Sequence, residues 1–540
     1  MKAKKITALL LSLALMVSIV GCTSNNGDDK PKNTHINVAE SFGFDLFHTI
    51  ITPSNTAAGY GFTYYLSNAY DTLVTYNEQG ELVGSLAETW DMSDDGTVYT
   101  FNLREGVKFS DGSDFTSDDV VGSLKGAPVN LGQYNGSYGM LSTIIKDVVA
   151  VDETTVELHL TQPYYSTLRD LCLYNPFGIV SSEQLNEDLT IKDSFKTGSY
   201  GTGPYMYEGD TDGQTYNFVA NPNYWGEAPD VESFSVKVIP DNNAMLLALK
   251  NNEIDLIYGV PKISAEAYKE IEATDGFTAL TDKNTLQTYY MGYNMANEFF
   301  GDQVVREAVT TAIDKTVITD TIYGGIRGTA DTFFAKTLPY CDVEQTIYEY
   351  SLEEANKLLD DAGYTDTDGD GIREVNGKNI EGNYLYQTAS ASEDDLVLYI
   401  CDQLEQIGIS LTPQSAPMMD WYAMITSGEY AVTNFQTQGG YYDPTSVITN
   451  MNPNTSMDPL MMQMSQFLPN GSELIIEVNK TADENRISEI YETVIKTMSD
   501  NCFNTPLYYA KQVTLYDEDV ASYSFEQDSN YLSVQNVKLK

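Results

Sequence analysis

Imidazole is scarce in this chain. The three histidines are His35, His48 and His159, and none lies beyond position 159. His159 sits in a strand-like run with apolar neighbours and reads as structural. His35 adjoins a polar stretch, so His48 is the one histidine that qualifies as a metal-ligand candidate; no metal centre is otherwise assigned. Cys172, Cys341, Cys401 and Cys502 show no CxxC spacing, which removes zinc knuckles and dithiol redox motifs. Sparse cysteines of this kind are either disulfide-paired in an exported protein or small core hydrophobes. Asp366 to Gly371 (DTDGDG) opens like a calcium loop, but its twelfth position is Gly377 where a bidentate Glu is required. A hydrated surface turn is the better reading. No GxSxG elbow and no phosphate loop is present, and Gly201-Thr202-Gly203 is followed by Met206 instead of a third glycine. Among 78 acidic residues nothing singles out a carboxylate pair for glycoside hydrolysis. No catalytic residue and no cofactor are assigned. Reversible binding is the chemistry that remains, and Gln436-Thr437-Gln438-Gly439-Gly440-Tyr441-Tyr442 suits it. The stretch is polar, small and aromatic, and offers backbone groups and stacking faces to a neutral solute. Asn434, Gln436 and Gln438 alternate with Phe435 and Thr437, which places their amides on one face of a strand.

The elements that must carry such residues are mixed. Leu86 to Gly112 reads as a twisted antiparallel β-unit. Tyr99, Phe101 and Leu103 alternate with Thr100 and Asn102, with turns at Asp94-Asp95-Gly96, Glu105-Gly106 and Asp111-Gly112. Ala150 to Leu160 and Phe234 to Ile239 read as further strands. Three helices are expected. Ser351 to Ala362 has the capping pair Ser351 and Glu354 and a stop at Gly363. Val304 to Ile313 and Val397 to Ile407 each carry one apolar stripe, the latter ending at Gly408. Helices alternating with short strands predict α/β domains.

The N-terminus reads as a targeting segment. Lys2, Lys4 and Lys5 precede an apolar run from Ile6 to Val20, shorter than the roughly 20 residues of a spanning helix. It ends at Gly21-Cys22, which resembles a bacterial lipobox. The resemblance implies cleavage before Cys22 and lipid attachment to its sulfur. Residues 23–33 are polar and predict a disordered tether. Formal charge is −48, and −51 once the three leader lysines are removed. Such a surface argues against nucleic acid and anionic lipid headgroups as partners.

Landmarks recur in order along the chain: the segment Leu86 to Gly112, Gly201-Thr202-Gly203-Pro204-Tyr205, Asn221-Pro222-Asn223-Tyr224-Trp225-Gly226, Asn252-Glu253-Ile254-Asp255-Leu256, Val305-Arg306-Glu307-Ala308 with Ala312-Ile313-Asp314, and Ile407-Gly408-Ile409. Together they resemble the peptide/nickel (family 5) solute-binding proteins of ABC transporters. Ala330 to Phe334 and Tyr441-Tyr442-Asp443-Pro444 are worded most like nickel-type members. The resemblance implies a two-lobed, periplasmic-binding-protein-like (type II) α/β fold with an additional domain and a cleft between lobes. Lobe I would comprise 35–68, 203–287 and 512–540, the additional domain 69–202, and lobe II 288–511, behind a leader of 1–21 and a tether of 22–34. It also implies cleft residues: Tyr64, Tyr65, Tyr441, Tyr442, Gln436, Gln438 and a loop beginning at His48. Nickel-type members use a second-lobe histidine, and Thr445 stands there. They grip an anionic chelator with arginine, and Asn175 stands there. Peptide-type members hold the peptide amine with an Asp where this chain has Gly440, leaving Asp443 as the nearest substitute. The expected protein is a monomeric, lipid-anchored extracytoplasmic receptor that hands its solute to an ABC permease. Oligopeptide ranks first as ligand, metal chelate second and oligosaccharide third. A surface hydrolase is the alternative outside transport.

Overall fold

The alternation of Tyr99, Phe101 and Leu103 has the consequence expected of period-two spacing. Val98–Leu103 is a strand whose three apolar residues are buried while Asn102 is exposed. It pairs antiparallel with Ala87–Met92. The turn between them is closed by Asp95, whose Oδ1 accepts from Ser93 Oγ at 2.7 Å and from Thr97 N at 3.1 Å, with Gly96 at φ +68°. The computed structural model describes residues 34–43, 60–132, 135–136, 140–285, 287–387, 391–437, 444–454, 456, 458–528 and 530–540.

Three large sheets organise the described residues, beside three two-stranded ones. The first has seven strands in the order Phe277–Thr281, Val513–Asp517, Leu256–Tyr258, His35–Glu40, Ser233–Val238, Thr215–Ala220 and Tyr205–Asp210; the body around it is called lobe I. The second has six: Gly328–Thr329, Asn504–Ala510, Gln287–Tyr293, Val432–Gln436, Glu381–Gln387 and Ser410–Ala416; this is lobe II. A four-stranded antiparallel sheet, Ala87–Met92, Val98–Leu103, Thr155–Leu160 and Ile145–Asp152, builds the additional domain. The chain leaves the lobe I sheet after Thr281 for the strand Gln287–Tyr293 and returns after Ala510 to the strand Val513–Asp517. Asp282 N donates to Gln512 O at 2.8 Å, which ties the two crossings together. Two adjacent, oppositely directed crossings between the lobes are the anatomy of a hinge.

The single strand expected over Ala150 to Leu160 is instead a hairpin. Asp152 Oδ1 accepts Thr154 N at 3.0 Å and turns the chain between Ile145–Asp152 and Thr155–Leu160. Val156, Leu158 and Leu160 are buried on one face as the pattern requires. The expected helices form as Gln303–Thr311, Leu352–Asp361 and Ala391–Glu405. Ser351 Oγ accepts from Glu354 N at 3.1 Å, but the reciprocal half of the capping box is missing. Ser351 N is taken by Thr311 O, and the Glu354 carboxylate turns to Lys357. Gly363 and Gly408 end their helices at φ +79° and +73°.

Arg306 explains one landmark physically. It is 1% exposed inside the helix Gln303–Thr311. Its Nε and Nη2 donate to Cys502 O at 3.0 Å and Asn501 O at 2.8 Å, and Nη1 to Gly301 O at 2.7 Å. The guanidinium thus satisfies carbonyls at the C-terminal end of the helix Glu484–Asp500, where a cation is also favoured by the helix dipole. The additional domain docks on lobe II through polar contacts set in apolar packing. The Tyr165 hydroxyl lies 2.9 Å from Thr445 Oγ1 and 2.7 Å from the Tyr491 hydroxyl, and Gln162 Nε2 donates to Asn479 O at 3.1 Å.

Candidate functional site

Parallel strands direct their carboxyl ends to one edge of a sheet, and a crevice forms where the connections diverge. In lobe I, His35–Glu40 runs parallel to both Ser233–Val238 and Leu256–Tyr258, so Glu40 and Tyr258 mark that edge. Glu40 is fully buried. Lys262 Nζ donates to Glu40 Oε2 at 2.7 Å and to Tyr258 O at 2.8 Å, and lies 4.8 Å from the centre of the Tyr64 ring. Glu40 Oε1 accepts Ser41 N at 2.7 Å and Phe42 N at 3.2 Å. Both ions are satisfied, as a buried pair must be. Tyr64 is half-buried beside this pair. Tyr65 is 1% exposed and belongs to the lobe I core; burial, then the Glu40 carboxylate, push its hydroxyl well above the usual range.

Two sequence landmarks interlock beside this edge. A Cβ on Gly203 would lie 2.6 Å from Ala69 C, and one on Gly201 would lie 2.1 Å from Ala69 O, so only glycine lets this connection pass the end of the helix Leu66–Ala69. Asn221 Nδ2 donates to Gly203 O at 2.9 Å and Asn221 N to Pro204 O at 2.8 Å. Trp225 Nε1 then donates to Asp71 Oδ2 at 2.9 Å, which also accepts Thr202 Oγ1 at 2.8 Å. Arg104 covers the Trp225 ring at 4.4 Å. Burial raises the Asp71 carboxyl pKa against the opposing pull of these donors.

The C-terminal segment adds acids that the sequence pattern did not single out. Glu526 and Asp528 are half-buried on lobe I. Glu526 accepts Asn536 Nδ2 at 3.4 Å, and Asp528 accepts Asn530 N at 3.2 Å. Burial pushes their carboxyls up to about 7 and about 6, with the neighbouring Asp528 and Asp71 adding to the shift of Glu526. Tyr174 packs edge-on against Tyr531 at 4.9 Å. Burial first, then the fields of Glu526 and Asp71, raise the Tyr174 hydroxyl far above its ordinary value. Tyr224 feels the same two acids. Asn175, next to Tyr174, is buried, with 4% of its surface exposed.

On lobe II, Gln436, Tyr289, Tyr508 and Thr329 stand in register across four neighbouring strands. Tyr289 stacks on Tyr508 at 4.7 Å, Tyr323 packs on Tyr508 at 4.6 Å, and Arg327 lies 5.5 Å from the Tyr323 ring. Arg327 Nη1 is buried without a hydrogen-bond partner. Asn434 and Gln436 share a face, with Phe435 on the opposite one. The Asn434 amide is spent structurally, accepting from the Tyr384 hydroxyl and donating to Glu393 Oε1 at 2.5 Å. Thr437 is held by Thr288 O and Gln287 Nε2 at 3.0 and 2.9 Å.

Cys22, His48, Gln438, Gly440, Tyr441, Tyr442 and Asp443 lie outside the described residues. The two described histidines make structural hydrogen bonds. His35 Nδ1 lies 2.8 Å from Ser233 Oγ, and His159 Nε2 lies 2.9 Å from Glu157 Oε2. Cys401 and Cys502 are buried thiols, and burial pushes both up to about 12. In the DTDGDG turn, Asp366 accepts Gly369 N at 2.6 Å and Gly371 N at 2.9 Å, and Glu374 accepts Thr367 N at 2.7 Å, so the loop's own backbone satisfies these acids.

A sequence profile described as "Bacterial extracellular solute-binding proteins, family 5 Middle" matches residues 81–459. The chain is 26% identical over 474 residues to the nickel-binding periplasmic protein of Escherichia coli, covering 87% of this chain and 89% of that one. It is 24% identical over 569 residues to the oligopeptide-binding protein AppA of Bacillus subtilis, covering 99% of each. Its structure superposes on NikA from Brucella suis, solved in complex with Fe(III)-EDTA, with a TM-score of 0.85 at 26% identity, covering 94% of this chain and 100% of that chain. The fold is therefore the two-lobed type II arrangement with an additional domain, as the sequence landmarks implied. The chain belongs to the bacterial extracellular solute-binding proteins of family 5.

Proposed function

We propose that this protein is the extracytoplasmic receptor of an ABC importer and that its solute is peptide-like. It captures the solute between the lobes, closes about the crossings at Asp282 and Gln512, and delivers it to a permease; ATP is hydrolysed elsewhere in the complex. Its relatives are solute-binding proteins, and reversible binding is the whole of the chemistry assigned here. The observation that carries the peptide reading is the distribution of charge. Lobe I presents Glu526 and Asp528 beside Tyr174, Tyr224 and Tyr531, which suits an amine resting among aromatic faces. Lobe II presents Arg327 with an unused N–H, which suits a carboxylate. The sequence of the polar run Gln436 to Asp443, with Gly440, Tyr441 and Tyr442, suits backbone and stacking contacts to such a solute.

A metal chelate is the second reading, favoured by the likeness to nickel-binding relatives. Asn175 in place of arginine and the lack of histidine beyond position 159 oppose it. Cys22 is assigned as the lipid anchor, residues 1–21 as leader and 22–34 as tether, on the sequence Ile19-Val20-Gly21-Cys22 and the polar run after it; no helix among the described residues is long and apolar enough to cross a membrane. The protein acts as a monomer, with domain limits at 68/69, 202/203, 287/288 and 511/512. Isothermal titration with matched peptides bearing free or acetylated N-termini tests the reading. The free amine should bind at least tenfold tighter, and Glu526→Gln should erase that preference. Equal binding of both peptides would overturn the amine assignment.

A further inference from the structure

Lobe II contains a cavity between the helix Glu484–Asp500, the strand Asn504–Ala510 and the segment 331–348, with a volume of about 20 Å³. A water-sized occupant needs about 10–15 Å³. Lys315, Thr310, Thr332, Gln345, Cys502 and Asn504 line it.

Its lining is unbalanced in hydrogen-bonding groups. Lys315 is 7% exposed, and its Nζ donates at 2.9 Å to Ala330 O. An ammonium carries three donors, and among the described residues no carboxylate lies within 4.0 Å of this one. Asp331 also lines the cavity; it is exposed and acts on Lys315 through its field. Asn504 is 7% exposed, and its Nδ2 is buried without a partner; so is Gln345 Nε2. The acceptors nearby are committed. Thr310 Oγ1 is shared among Tyr293, Cys502 and Thr505, and Thr332 Oγ1 between Phe334 O and the Tyr509 hydroxyl. Cys502 stays a thiol at neutral pH and adds no negative charge. A single water accepts only two hydrogen bonds, so it leaves part of this donor-rich lining unmatched. A compact anion accepts from every side and neutralises the buried ammonium, whose unpaired burial is otherwise costly.

We propose that this cavity is a structural binding site for a halide-sized inorganic anion, held by Lys315 Nζ, Asn504 Nδ2 and Gln345 Nε2. The anion locks the segment 331–348 against the helix Glu484–Asp500 and the strand Asn504–Ala510. The test is thermal unfolding of the full chain in sodium chloride or bromide against sodium gluconate at matched ionic strength. Once the site's affinity is exceeded, the lobe II transition should rise with the logarithm of halide, roughly 2–4 °C per tenfold, with no rise in gluconate. Lys315→Met should abolish the difference. Gln345→Leu, at a half-buried residue, should weaken the apparent halide affinity several-fold. A crystal soaked in bromide should give an anomalous peak in the cavity. Equal unfolding temperatures in halide and gluconate, an undiminished halide response in both variants, or a lone water at this position in bromide would each overturn the assignment.

Discussion

Replacing Lys262 by methionine isolates the ion pair that closes the carboxyl edge of the lobe I sheet. The substitution preserves an unbranched stem of similar length, so packing against Tyr64 is largely kept while the charge is lost. Glu40 is then left fully buried with Oε2 facing no cation. Removing one member of a buried pair costs about 3–5 kcal/mol. Glu40 Oε1 keeps the Ser41 and Phe42 amides, which places the expected cost near the lower end, about 3 kcal/mol. At 1.36 kcal/mol per tenfold, amide exchange in the strand His35–Glu40 should accelerate by about two orders of magnitude, with lobe II amides unchanged. Hydrogen exchange followed by mass spectrometry reads both lobes separately, which matters in a multidomain chain where one global unfolding free energy is not defined. Adding Glu40→Gln should restore at least half of the loss, because it removes the stranded charge. An acceleration below fivefold in Lys262→Met, or no recovery in the double variant, would refute the reasoning.

Other consequences follow from single sites. Gly203→Ala places a Cβ 2.6 Å from a backbone carbon, and should cost about 1–3 kcal/mol as an overpacked position, read as accelerated exchange at Ala69 and Tyr70. Asp517 is 5% exposed, and burial, with the Asp255 carboxylate beside it, pushes its carboxyl up to about 7. The folded chain therefore holds a proton that the unfolded chain releases near pH 4, so stability is lost as pH rises from about 4 to about 7. Asp517→Asn should flatten that loss and stabilise lobe I at pH 8 by on the order of 1–2 kcal/mol, measured by urea unfolding at pH 5 and 8. Cys22→Ala should release the protein from the membrane fraction, and continued attachment would sink the lipid-anchor assignment.

What the sequence made legible follows from local physics. Asp95-Gly96, Ser351 with Gly363 and the alternation of Tyr99, Phe101 and Leu103 act over a few residues, and each does in the structure what its chemistry dictates. The landmarks around Gly203, Asn221 and Trp225 were readable as words, but the reason for them is long-range: each is needed because of where Ala69 and Asp71 lie in space. The Asp152 turn was missed because the apolar alternation runs through it and the aspartate cap is a single side chain. Glu526, Asp528 and Arg327 were missed for another reason. Acids and cations of this kind are common along the chain, and only burial beside Tyr174 or Tyr323 distinguishes them.

The central claim is that the cleft holds a peptide-like solute through its amine. Native mass spectrometry of the purified protein before and after denaturation, with metal analysis of the same sample, tests it most directly. The account predicts a heterogeneous set of released peptides, no stoichiometric metal, and loss of the bound mass on Glu526→Gln. Release of nickel or another metal with a small chelator, at one equivalent per chain, would contradict it.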